Sequence, residues 1–199
     1  MENTIVSTLE ILHKGFEMTN ILESIKDLFS PLLENEEKSP LHIGEVMNFW
    51  LLLTLIQEGL DVYQLGLNTT QDDQLIHALK NGEQSSRNVI AQLQAFLKKE
   101  GVTLPPASVD KPKSDPKSIP LGVKQTDEQI ANLVSAKIAA EITLIGQALA
   151  VSVRGDVCRI LLHIQFEVFK YGSSFKVMMM ERGWLKMPPY YYPPGAPNK

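Results

Sequence analysis

The stretch "GVTLPPASVDKPKSDPKSIPLGVKQ" (residues 101–125) decides the fold, and it carries five of the chain's twelve prolines. Proline lacks the N–H that a helix interior or a central strand needs, so the segment reads as neither. A connection of about 25 residues reaches about 80 Å when extended, whereas a helix of about 27 residues is about 40 Å long. The stretch can therefore run the whole length of a helical bundle. Structureless connections this long are uncommon in compact domains and need a reason. A lengthwise crossover supplies one.

On each side of the crossover the apolar pattern predicts two long helices. Upstream, Phe49, Leu52, Leu53, Ile56, Leu60, Tyr63 and Leu67 form one stripe over residues 42–67. After the turn "NTTQDD" (68–73), Thr70 or Asp72 can cap a second helix over 72–99, which Gly101 stops. Downstream, "TDEQ" (126–129) reads as a capping box opening a third helix that runs to 151. "RGD" (154–156) reads as a tight turn, and a fourth helix spans 156–182 and ends at Gly183. No useful strand alternation appears. The fold class is all-α: a four-helix bundle of ferritin-like connectivity, over residues 38–187, with its one long crossover between helices two and three.

Residues 1–37 read as an amphipathic helical extension. Ile5, Leu9, Leu12 and Phe16 recur at helical spacing, and so do Met18, Ile21, Ile25, Leu28 and Leu32. "NEEKSP" (35–40) reads as a linker. The two stripes need a surface to cover, which implies a homo-oligomer or a protein partner through the N-terminal helices. At the other end, residues 188–199 form a Pro/Tyr-rich tail with "PPYYYPP", expected to lie back over the bundle. "VMMMER" (177–182) is expected to serve core or interface packing.

Composition narrows the function. A net charge of −4 with a pI near 5.6 argues against nucleic acid, whose phosphates need a basic face. The N-terminus lacks the basic start and continuous apolar run of a signal peptide. The most apolar stretch, 49–56, is far short of the roughly 20 residues of a membrane span. A soluble cytoplasmic protein is expected. Cys158 is the one cysteine, so no internal disulfide forms and a structural role is the default. No Gly-rich phosphate loop occurs.

Four stretches carry a family resemblance: "PLHIGEVMNFW" (40–50), "KKEGVTLPP" (98–106), "IPLGVK" (119–124) followed by "IA", and "RGWLKMPPYYYPP" (182–194). In this order they resemble a family of unknown function from endospore-forming bacteria, made of ferritin-like four-helix bundles, some labelled spore coat F-like. The resemblance covers about 38–194. It implies the fold and an association with the spore, and little chemistry. Relatives tend to place histidine and acids toward the interior. Here "HIGE" keeps His42 and Glu45, while Gln165 stands near where a histidine is expected.

Ferritin-like connectivity raises the question of a metal. Di-iron bundles take a Glu from each of two helices and Glu-x-x-His from each of the others. On a wheel of about 100° per residue, Glu83 lies about 40° and Ser86 about 20° from the inward direction of helix two. Glu141 and Glu167 lie about 60° from the stripes of helices three and four, and His163 about 100° off. All sit near mid-helix, so Glu83, Glu141, Glu167 and His163 form the first candidate set, for iron, manganese or zinc. Against it, no Glu-x-x-His occurs within the four bundle helices, Ser86 stands in the histidine position, and helix one offers only Leu53, Ile56 and Leu60 at that level. The bland alternative pairs Glu83 with Ser86, Arg87 or a facing helix. His42 and Glu45 are a second candidate pair, for a metal or an anion, with helix capping as the competing role. His13 and His77 read as exposed.

Two functions follow. The leading one is a non-catalytic structural or interaction protein, spore-associated by resemblance. The alternative is a metal-binding or oxidoreductase protein with a carboxylate site in the bundle. A small ligand inside the bundle is a third.

Overall fold

A computed structural model describes residues 39–107 and 109–194, together with Asp27 and Ser30. The expected N-terminal helices fall almost wholly outside the described residues. Four long helices make up the body: α1 (Ile43–Thr69), α2 (Asp73–Lys99), α3 (Asp127–Val151) and α4 (Gly155–Glu181). Each matches its expected span to within two residues, and no strand occurs among the described residues.

The caps explain the boundaries. Asp72 accepts from Leu75 N at 2.8 Å and opens α2. Thr126 and Gln129 form the expected capping box on α3. Gly101 and Gly183, the two described residues with positive φ (74° and 68°), end α2 and α4. The expected turn at "RGD" is corrected. The connection is Ser152–Val153–Arg154 in extended backbone, and Gly155 already belongs to α4.

The helices run up, down, down, up. Glu45 at the start of α1, Glu100 after α2 and Arg154 before α4 meet at one end. Asp72 before α2 and Arg182 after α4 meet at the other. A Cβ on Gly66 of α1 would touch both Leu79 of α2 and Ile130 of α3, so the third helix starts where the second also starts. α1 packs on α2 and α3, and α4 packs on α3 and α2. This order requires a lengthwise connection from the end of α2 to the start of α3.

Side chains of α1 clasp that connection along its path. Lys111 Nζ donates to Asp61 at 2.7 Å, Lys111 N to Gln64 Oε1 at 2.8 Å, and Asn68 Nδ2 to Pro112 O at 2.9 Å. Asp110 accepts from Arg87 at 2.9 Å and from Gln64 at 2.8 Å. These two bonds, Arg87 first, hold its carboxyl below the usual carboxylate range. A carboxyl lowered on folding stabilises the folded chain above its ordinary pKa of about 4, and that contribution is lost as pH falls through the folded value. The clasp should therefore loosen below about pH 4. Amide exchange at Lys111 and Ser114, corrected for intrinsic rate, should lose protection between pH 6 and pH 3 while Leu93 and Leu97 stay protected. Unchanged protection at Lys111 would refute the clasp.

The interior divides in two. One apolar cluster, with Phe49, Leu52, Leu53, Leu93, Ile145 and Leu161, fills the end where α1 begins. The other, with Leu75, Leu79, Ile130, Val134, Phe175 and Met179, fills the opposite end. Cys158 is fully buried, and burial raises its thiol pKa. Of the methionine cluster, Met178 and Met179 are core and Met180 is exposed. The tail differs from expectation. Trp184 and Leu185 pack on the core, but Tyr190, Tyr191 and Tyr192 are 74%, 83% and 60% exposed and cover little.

Candidate functional site

Between the two apolar clusters lies a polar waist. Glycines make the room for it. A Cβ on Gly59 of α1 would sit 2.0 Å from Lys137 Cε, so the lysine stem crosses α1 in the groove that glycine leaves. A Cβ on Gly82 of α2 would sit 2.4 Å from Tyr171 OH and 2.6 Å from a Tyr63 ring carbon. Lys137 is 8% exposed and Glu141, one turn on along α3, is 4% exposed. Lys137 Nζ donates to Glu141 Oε1 at 2.6 Å and to Tyr63 OH at 3.4 Å, and lies 4.8 Å from the Tyr63 ring centroid. Tyr63 and Tyr171 meet edge-on at 6.2 Å, and Tyr171 OH donates to Ala78 O at 3.2 Å.

The electrostatics follow from burial. Loss of water raises the Glu141 carboxyl above the usual carboxylate range, and the Lys137 ammonium opposes that shift. Burial likewise holds the phenols of Tyr63 and Tyr171 well above their ordinary value, so both keep their protons. A cavity of about 20 Å³ adjoins Tyr63, Ser86, Glu141 and Tyr171. That is room for about one water, which leaves no space there for the small ligand considered from the sequence. Gln57 and Gln165 each bury a side-chain oxygen without a protein partner.

The structure separates the first candidate set. Glu141 is buried, although its wheel position lies about 60° from the α3 stripe. Glu83 is partly exposed and held on its own helix by Arg87, whose Nη2 donates at 2.7 Å. That is the bland alternative. Ser86 is buried as expected, Glu167 is partly buried, and His163 is exposed. Among the described residues, no three or more His, Cys, Asp or Glu side chains are grouped to hold a metal ion.

The second candidate pair forms a helix start. His42 caps α1: its Nδ1 accepts from Gly44 N at 3.0 Å and from Glu45 N at 3.3 Å. Because Nδ1 accepts, the ring proton is on Nε2, which donates to Val151 O at 3.2 Å. Glu45, 1% exposed, accepts from His42 N at 3.2 Å, Val153 N at 2.9 Å and Arg154 N at 3.0 Å. The pair thus ties α1 to the α3–α4 connection, and both imidazole nitrogens are engaged.

Sequence reasoning missed Lys137, Tyr63 and Tyr171 as waist residues. Two signals mark them. Lys137 and Glu141 are the only charges in residues 129–153 and stand four apart. Gly59 and Gly82 interrupt helix interiors, Gly82 level with Tyr63 one turn along α1 from Gly59, which costs stability unless something passes there.

The fold and waist define a class: an up-down-down-up helical bundle whose interior charge is neutralised by its own lysine. Residues 32–196 match the family model DUF3231, a protein family of unknown function, and the chain belongs to that family. It is 29% identical over 157 residues to the uncharacterized protein YvdQ of Bacillus subtilis (strain 168), covering 79% of this chain and 92% of that one. It also resembles the crystal structure of a candidate spore coat protein from Bacillus halodurans C-125, with a TM-score of 0.75 and 28% identity over 78% of this chain and 98% of that one. A DUF305 fragment from Deinococcus radiodurans, at 17% identity and a TM-score of 0.58 over 72% of this chain and 99% of that one, shares the fold alone. The family expected from the four sequence stretches is thus the one found.

Proposed function

We propose that this is a non-catalytic structural protein of ferritin-like connectivity that acts through its helix surfaces, in association with the spore. One observation carries the reading. The interior carboxylate best placed for a bundle metal site, Glu141, is neutralised at 2.6 Å by Lys137 of the same helix. An ammonium in that position opposes a second cation by direct repulsion at low dielectric. The resemblance to a candidate spore coat protein supports the spore association.

The test is elemental analysis of protein purified without chelator, before and after incubation with iron, manganese and zinc salts. Wild type, Glu83→Ala and Glu141→Gln should all hold well below one equivalent of any of the three. Near-stoichiometric metal in the wild type that is lost in Glu141→Gln would overturn the structural reading in favour of a metal protein.

A further inference from the structure

A cleft of about 260 Å³ lies where Ala107, Val109 and Asp110 of the crossover meet the groove between α1 and α2. Ligand clefts start at about 300 Å³, so this one suits a small molecule. It is separate from the waist cavity, and no residue lines both. Its walls are apolar at Leu60, Ile90 and Ala91 and polar at Gln57, Asp61 and Arg87. Gly66 on Leu79 and Gly82 on Tyr63 fix the register of the two helices, which sets Gln57 opposite residue 88, beside Arg87. Gln57 is 4% exposed, its Oε1 is buried without a partner, and its side chain makes no hydrogen bond to any described residue. A buried amide that bonds nothing costs stability, so something outside the chain has to supply its bonds. Arg87 adds donors. Its Nε and Nη2 serve Glu83 and Asp110, and its Nη1 bonds no described residue. The charges in the wall are already matched. Arg87 donates to Asp110 at 2.9 Å, and Lys111 donates to Asp61 at 2.7 Å.

We infer that this cleft binds a small uncharged amide with an apolar body, held by the side chain of Gln57. Three arguments select that class. An ionic ligand would have to break one of the matched pairs or sit beside a like charge, so the ligand is neutral. Gln57 presents an acceptor and a donor on one planar group, and the group that answers both is another amide. The last torsion of glutamine is broad, so the amide plane can turn both ends toward a ligand. The ligand carbonyl can also accept from Arg87 Nη1. The rest of the molecule is apolar, because it meets Leu60, Ile90 and Ala91 and gains by covering them. A polyol would leave hydroxyls unpaired against the same three side chains.

The inference goes beyond the structural reading and does not depend on it. Benzamide, titrated into the full chain and followed by amide NMR, should shift the Gln57 side-chain amide and the backbone amides of Ala91 and Asp110, with a Kd of about 1–10 mM. Benzoate, which has the same outline and a charge, should bind at least about 10-fold more weakly. Gln57→Leu should weaken benzamide at least about 10-fold and raise Tm, since the amide without a partner is gone. Ala91→Phe, at an exposed position of α2, fills the cleft and should abolish binding with helicity unchanged. A Gln57→Leu protein that fails to fold therefore leaves a second test. No shift at these residues with either benzamide or ε-caprolactam at about 20 mM would mean that water serves Gln57, and it overturns the inference. So does benzoate binding as tightly as benzamide, or wild-type affinity in both variants.

Discussion

Gly59→Ala should destabilise the protein by about 3–5 kcal/mol, measured by urea unfolding at neutral pH. The substituted position is 2.0 Å from Lys137 Cε and 2.8 Å from Cδ, closer than any carbon contact tolerates. α1 is held on two sides by α2 and α3, so the lysine must move. Its ammonium then leaves Glu141, which sits 4% exposed, and an uncompensated buried charge costs about 3–5 kcal/mol. Simple overpacking would cost about 1–3 kcal/mol. The two causes separate in a double-mutant cycle. In a Lys137→Ala, Glu141→Gln background, Gly59→Ala should cost less than about 1 kcal/mol, since both the obstacle and the buried charge are gone. Equal costs in the two backgrounds would show that the ion pair plays no part.

This waist also shows where the sequence stops being legible. The helices and their order were readable because each signal is local or additive. Apolar residues repeat with the helical period, Thr126 and Gln129 box one helix start, and five prolines forbid helix between the two hairpins. Glu141 was placed correctly at mid-helix and on the wrong footing. A wheel gives an angle, while burial at the flank depends on how close the neighbouring helix comes. Gly59 lets α1 accept the Lys137 stem, and that is a fact about two helices together. The reverse holds for Glu83, whose wheel position points inward. Arg87 one turn later binds it and also donates to Asp110 of the crossover, a residue whose position no periodicity predicts. His42 and Glu45 carry a signal with two meanings. Their three-residue spacing suits metal ligands and also a capping box, and only the place of Val153 and Arg154 beyond the bundle end decides for the cap.

Arg154→Ala should destabilise the protein by about 3–4 kcal/mol. Its guanidinium is 4% exposed and joins three parts of the chain. It donates to Glu100 at 2.7 and 3.0 Å, to Asp156 at 2.7 and 3.0 Å, and to Ser39 O at 3.2 Å, and it lies 5.8 Å from the Phe96 ring centroid. These charge-assisted bonds raise its pKa still further, Glu100 contributing most, so it stays charged at any working pH. Alanine leaves two carboxylates facing each other, removes the stem that fills the gap, and strands Ser39 O. The loss is moderated because Glu100 and Asp156 are 20% and 26% exposed and can recover water. Arg154→Lys should recover less than half of the loss, since one ammonium cannot make both paired contacts. The damage should be local in a way a core cavity is not. Amide exchange should quicken first at Val102, Cys158 and Val46, whose N–H groups donate to Leu97, Arg154 and His42 at this end. Ile76 and Ile130, bonded to Asp72 and Thr126 at the opposite end, should keep their protection until the global transition. Uniform loss of protection at both ends would mean that Arg154 contributes to the whole bundle and does not act as the fastening of one end.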